Sequence, residues 1–92
     1  MNRLGNTALL ATVVQGDAMI VQLLINAGSD VNRVNQDGWT PLVCASLFGH
    51  LDVVKLLVEA SANTEFTYNL LTAEEWANQR GHTGIVGFLN SQ

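Results

Sequence analysis

The chain is poor in charge of either sign. Charged residues make up 13% of its 92 residues, about half of what soluble domains average. Four basic residues against eight acidic ones give a net charge of −4, which disfavours nucleic acid and anionic membranes as partners. Hydrophobic residues reach 48%, enough for a folded core. So low a charged content indicates that something else covers part of the apolar surface, or that the sequence belongs to a longer protein.

Cysteine is almost absent as well. The single Cys44 cannot form an internal disulfide, and no Asn-x-Ser/Thr sequon occurs. Both features are typical of a reducing compartment, so we expect an intracellular protein, in the cytoplasm or the nucleus. No apolar run is long enough for a bilayer, and the first residues lack the apolar core of a signal peptide. Membrane insertion is therefore not expected.

What the sequence does contain is an internal repeat. The segment Gly38-Trp39-Thr40-Pro41-Leu42 matches Gly5-Asn6-Thr7-Ala8-Leu9, which lies 33 residues earlier. A forward shift of 32 residues brings Gly49-His50 onto Gly81-His82. These shifts predict one domain over residues 1–92 that contains three repeats, at about residues 2–34, 35–66 and 67–92.

Each repeat has the pattern of two short helices joined by a turn. In the middle repeat, Thr40 is a helix N-cap, Pro41 opens the helix, and Gly49 ends it before a second apolar helix. In the third repeat, Thr72 and Glu75 have the spacing of a capping box. Because such short helices are unstable alone, the repeats must stack on one another.

These motifs resemble the ankyrin repeat. The first half of its pattern is present as Asn35-Gln36-Asp37-Gly38-Trp39-Thr40-Pro41-Leu42, and the second half as Leu23-Leu24-Ile25-Asn26-Ala27-Gly28-Ser29-Asp30-Val31-Asn32. The resemblance covers essentially the whole chain. It implies an all-α ankyrin-repeat solenoid of helix-turn-helix units with protruding loops or β-turns. It also implies a protein-protein interaction module or scaffold that needs no cofactor.

Two departures from the family pattern carry predictions. Ser61 replaces the glycine that ends the second helix, so we expect a left-handed serine that costs about 1 kcal/mol. Glu74 occupies a position that is normally apolar, which indicates that the third repeat closes the stack. The first repeat has no such polar cap, and its apolar residues are a liability or an interface.

No residue set predicts catalysis. His50 and His82 are interpreted as turn histidines that bond to loop backbone, and Cys44 as a small core residue without a neighbouring base. Phosphate-binding loops, metal-spaced Cys/His sets and nucleophile elbows are all missing. We therefore expect neither enzyme activity nor a small-molecule substrate, metal or cofactor.

The resemblance implies that a partner protein contacts the concave strip formed by the loop tips and the first helices. Trp39, Leu47 and Phe48 are expected at its centre, because exposed aromatic residues anchor protein interfaces. Packing between repeats is the alternative for each of them. The whole strip comprises Arg3, Leu4, Asn6, Val14, Gln15, Val34, Gln36, Asp37, Trp39, Leu47, Phe48, Tyr68, Asn69, Leu71, Gln79 and Arg80.

Two other functions stay open. The uncapped first repeat could make the chain a self-associating unit, either a dimer or an end-to-end stack. The sequence could also be a fragment of a longer regulatory ankyrin protein. The resemblance also suggests Asn32 as a site of hydroxylation. The simpler alternative is that its side chain forms hydrogen bonds within the loop.

Overall fold

The computed structural model describes the backbone of residues 3–92 and the side chains of residues 8–92. It contains three helix pairs and one short β-hairpin in this part of the chain. The elements are α1 (Arg3–Gln15), α2 (Ala18–Asn26), α3 (Pro41–Phe48), α4 (Leu51–Glu59), β1 (Thr67–Tyr68), β2 (Leu71–Thr72), α5 (Ala73–Gln79) and α6 (Thr83–Asn90). The predicted all-α solenoid of helix-turn-helix units is confirmed.

The helices form two layers. The first helices of the pairs stack in the order α1, α3, α5, and the second helices stack as α2, α4, α6. Because α3 lies between two other first helices and packs on α4, every residue from 41 to 47 is buried. The core runs through all three pairs and includes Leu9, Val13, Val21, Leu42, Cys44, Val53, Val54, Leu57, Ala77 and Ile85.

Both helix starts predicted from the sequence are confirmed. The Thr40 hydroxyl accepts a hydrogen bond of 3.3 Å from the Val43 amide, and Pro41 fills the first turn, where an amide hydrogen would have no partner. Thr72 and Glu75 form a complete capping box, in which each side chain accepts from the other residue's amide. These caps fix where α3 and α5 begin.

The second helices of the first two repeats, α2 and α4, are each followed by a left-handed residue. At the end of α2, Gly28 has φ 96°, and the Ser29 amide donates back to the Leu24 carbonyl. At the end of α4, Ser61 takes the same place with φ 70°, and the Ala62 amide donates to the Leu57 carbonyl. The predicted left-handed conformation of Ser61 is therefore confirmed.

The Gly-His pairs couple neighbouring repeats. The His50 ring lies over Gly16 of the first repeat, and its Nε2 is 2.9 Å from the carbonyl oxygen of Val14. His82 lies in the same way over Gly49, with Nε2 3.2 Å from the Leu47 carbonyl oxygen. A Cβ on either glycine would come within 2.6 Å of the ring, so the close stacking requires glycine there.

The loops are held by their own side chains. Asn35 Oδ1 accepts from the amides of Asp37 and Trp39, which closes the predicted turn before α3. Asn32 Oδ1 accepts from the Asn63 amide at 2.6 Å and so ties the first inter-repeat loop to the second. This bond supports the loop-bonding role considered for Asn32.

The second inter-repeat loop contains a β-hairpin that the sequence did not predict. Thr67 pairs with Thr72 and Tyr68 pairs with Leu71, and two residues form the turn between them. Both turn residues, Asn69 at φ 54° and Leu70 at φ 75°, are left-handed. A two-residue loop of this geometry matches the twist of antiparallel strands, which is why it closes so short a hairpin.

Candidate functional site

The side chains that could take part in catalysis or metal binding have structural roles instead. Both histidine rings bond to backbone carbonyls of the preceding repeat, as predicted. Cys44 is fully buried, and its burial raises the pKa of the thiol to about 12. Within residues 8–92, no three His, Cys, Asp or Glu side chains are grouped in a way that could hold a metal ion.

The stacking of α1, α3 and α5 brings the ends of the first helices together. Gln15, Phe48 and Arg80 are equivalent positions in successive repeats, and all three side chains are exposed. Phe48 leaves 46% of its surface in contact with solvent. At these three equivalent positions an exposed aromatic ring therefore lies between two exposed polar side chains.

Aromatic rings extend from Phe48 into the third repeat. Trp39 meets Phe48 edge-on at a ring-centre distance of 6.1 Å, and it meets Tyr68 edge-on at 5.7 Å. Trp76 lies 5.7 Å from Tyr68, and its indole Nε1 donates to the Tyr68 carbonyl oxygen at 2.8 Å. We call these four residues, Trp39, Phe48, Tyr68 and Trp76, the aromatic row. Edge-to-face pairs at such distances favour one fixed arrangement of the rings.

The aromatic row also reaches the first repeat. The His50 ring stacks on Phe48 at 6.4 Å, with 26° between the ring planes. The same ring bonds to the Val14 carbonyl oxygen, and the Val14 side chain is exposed. Val14, His50 and the aromatic row therefore form a continuous path across all three repeats.

The expectation that Leu47 is exposed is wrong. Its side chain is buried, in a helix that packs on α1, α4 and α5. Trp39 is half-buried against Phe48 and Tyr68. It therefore packs behind the exposed Phe48 ring and leaves little of its own surface for a partner. Its indole Nε1 is buried without a hydrogen-bond partner among the described residues.

The remaining members of the strip differ in exposure. Tyr68 and Leu71 are half-buried, whereas the other described members are exposed, namely Gln15, Val34, Gln36, Asp37, Asn69, Gln79 and Arg80. The side chains of Arg3, Leu4 and Asn6 lie outside the described residues. Among the strip members whose side chains the structure describes, the exposed ones are mostly uncharged, and Asp37 and Arg80 are the charged ones.

Two residues next to the strip were missing from the prediction. Leu70 lies at the tip of the β-hairpin and is 90% exposed in a left-handed conformation. The signal in the sequence was that Leu70 occupies a position where the family pattern has glycine. Trp76 belongs to the aromatic row, but its spacing on α5 resembled that of a core residue.

The part of the chain that the structure describes contains no helix of the length and apolarity needed to cross a membrane. Its three stacked helix pairs define a helical repeat protein. The family model for ankyrin repeats, in three copies, matches residues 9–91. The chain therefore belongs to the ankyrin repeat family, whose repeats are generally protein-protein interaction modules.

Curated relatives carry the same repeats. The human Notch-regulated ankyrin repeat-containing protein is 41% identical over 54 residues, which are 59% of this chain and 47% of that protein. Mouse protein phosphatase 1 regulatory subunit 12A is 39% identical over 61 residues, which are 66% of this chain and 6% of that protein. The chain thus spans less than half the length of these curated relatives.

Proposed function

We propose that this chain binds another protein through the strip of loop tips and first-helix ends, with Phe48 as the main contact. The observation that carries the proposal is the exposed Phe48 ring, held by the half-buried Trp39. Exposing an aromatic ring loses the free energy that burial would supply. A rigid aromatic side chain can regain that free energy at an interface with little loss of conformational entropy.

Other exposed apolar side chains on the loops and first-helix ends support a partner with an apolar segment. Val14 and Val34 add exposed apolar surface, and Leu70 adds an apolar side chain at a protruding tip. Asp37 and Arg80 supply one charge of each sign, which would orient a partner and add little affinity. An uncharged centre with a polar rim is the usual composition of a protein interface.

A binding role that involves no catalysis also agrees with the relatives. The names of two of them describe a Notch-regulated protein and a regulatory subunit, so we propose a regulatory interaction for this chain. The proposal includes no enzyme activity, cofactor, nucleic acid or small-molecule substrate. It also treats residues 1–92 as one intracellular domain with repeats at 2–34, 35–66 and 67–92, a division that remains a prediction.

The test is affinity capture from extract of the source cells, followed by quantitative mass spectrometry. The immobilised chain is compared with Phe48→Ser, which removes the exposed ring and leaves the helix in place. We expect at least one protein to be captured by the wild type and reduced about tenfold or more by Phe48→Ser, since central aromatic contacts are worth about 2 kcal/mol or more.

The matched control is Leu23→Ser, because Leu23 is an exposed apolar residue on a different helix, α2. Capture through the strip should be the same for this control as for the wild type. Circular dichroism must first show that both variants are folded. Proteins that are captured equally by the wild type and Phe48→Ser, or lost only with Leu23→Ser, would contradict the proposal.

A further inference from the structure

His50 and His82 have the same backbone role in successive repeats. Each ring lies over a glycine of the preceding repeat, and each Nε2 is within hydrogen-bond distance of a carbonyl oxygen there. The carbonyl belongs to Val14 for His50 and to Leu47 for His82. Because a carbonyl oxygen can only accept, Nε2 carries the proton and donates in both bonds. In this role the two histidines are interchangeable.

The His50 ring makes one further contact, which distinguishes it from His82. It stacks on the Phe48 ring, with 6.4 Å between the ring centres and 26° between the planes. Among residues 8–92, His82 is paired with no aromatic ring. The exposed residue two positions before the histidine accounts for this difference, because it is Phe48 in the middle repeat and Arg80 in the third. The stacking is thus added to a backbone role that does not require it.

The Phe48 ring lies between two other rings. His50 stacks on it, and Trp39 meets it edge-on at a ring-centre distance of 6.1 Å. Phe48 is the last residue of α3 and leaves 46% of its surface exposed, so the core holds little of its side chain. Ring contacts at such distances are favourable only in particular orientations, so these two neighbours restrict the rotation of the Phe48 side chain.

His50 is itself fixed by the first repeat. Its Nε2 donates to the Val14 carbonyl oxygen at 2.9 Å, and the ring lies so close to Gly16 that a Cβ there would come within 2.6 Å of Nδ1. A ring that is hydrogen-bonded through one atom and packed against backbone has little freedom to move. The contact chain from Gly16 through His50 therefore gives the exposed Phe48 ring a support in another repeat.

We propose that His50 is a positioning residue for Phe48 and transmits the packing of the first repeat to the binding surface. The inference rests on the proposed function, because the position of Phe48 affects binding only if Phe48 contacts the partner. The physical gain is preorganisation. A side chain that is already held in one rotamer loses less conformational entropy when a partner immobilises it. Through His50 the first repeat thus adds to the affinity of a contact in the second.

NMR spectroscopy of isotope-labelled protein tests the positioning without any partner. The chain has three phenylalanines, so the Phe48 signals can be assigned by their loss in Phe48→Ser. Three-bond couplings to Cγ report the χ1 rotamer. We expect one rotamer in the wild type and averaging between rotamers in His50→Gln, whose amide can still donate to Val14 but has no ring to stack on Phe48. The matched control His82→Gln should keep the single rotamer.

Gly16→Ala tests the same coupling from the first repeat. Its Cβ would displace the His50 ring, so Phe48 should again populate several rotamers. Gly81→Ala is the matched control, because Gly81 has the same φ of 77° and its Cβ would meet nothing within 4 Å. Circular dichroism should show a similar loss of stability in both alanine variants, which must remain folded. A single Phe48 rotamer in both His50→Gln and Gly16→Ala overturns the proposal.

Affinity capture from the source cells then connects positioning with binding. Proteins that Phe48→Ser fails to capture should be captured about threefold less by His50→Gln and Gly16→Ala, because the partner must now immobilise the Phe48 side chain. His82→Gln and Gly81→Ala should capture them as the wild type does. Undiminished capture by His50→Gln, with loss in Phe48→Ser, overturns the positioning role and leaves the proposed function intact. Undiminished capture by Phe48→Ser contradicts the proposed function itself, and the role of His50 in binding falls with it.

Discussion

Replacing Ser61 by glycine should stabilise the protein. Ser61 has φ 70° at the end of α4, and the left-handed conformation costs a residue with a Cβ about 1–2 kcal/mol. Glycine removes that strain but loses more backbone entropy on folding, which offsets roughly 0.5–1 kcal/mol. The expected net gain in the free energy of unfolding is about 0.5–1 kcal/mol, or about 2–8 °C in Tm for a domain of this size.

The assay is urea denaturation followed by circular dichroism at the helix band. The first repeat supplies the reverse substitution as a matched control, because Gly28 has φ 96° at the equivalent place and nothing lies within 4 Å of its would-be Cβ. Gly28→Ser should therefore destabilise by a similar amount, through backbone strain alone. If Ser61→Gly leaves stability unchanged or lowers it while Gly28→Ser also has no effect, the strain argument is refuted.

Three further predictions concern single side chains. His50→Ala removes the bond to the Val14 carbonyl oxygen and the ring over the preceding turn, so thermal denaturation should show a loss of about 2 kcal/mol. Leu70→Gly relieves the left-handed turn residue and should raise Tm by a few degrees, whereas a lower Tm would contradict the strain there. Because the folded Cys44 thiol has a pKa of about 12 and the unfolded thiol one near 9, the folded state holds its proton longer. Stability should therefore fall by up to about 1.4 kcal/mol per pH unit above pH 9, and Cys44→Ala should abolish this fall in a comparison of denaturation curves.

The helix pairs could be predicted from the sequence because each of them has its own local signals. The cap at Thr40, the capping box from Thr72 to Glu75 and the left-handed Ser61 are all set by residues close in sequence, and the structure confirms them. The β-hairpin was missed because two-residue strands are too short to show alternation, and its turn lacks the usual glycine.

The candidate site was predictable only in part. Local pattern placed Phe48 and Leu47 together at the end of α3, but their exposure depends on what packs on each side of that helix. In the stacked repeats Leu47 is buried, whereas its neighbour Phe48 leaves 46% of its surface exposed. Likewise, the row of four aromatic rings joins residues up to 37 positions apart, and only the stacked repeats bring them together.

Site-specific photo-crosslinking in the source cells tests the central claim, that this chain binds a protein through the strip around Phe48. A photoreactive phenylalanine replaces Phe48 in one variant and Glu59, an exposed residue on α4, in a second variant. Binding through the strip predicts a discrete crosslinked protein from position 48, with none or far less from position 59. Crosslinking of the same protein from position 59 in equal or greater yield would contradict it.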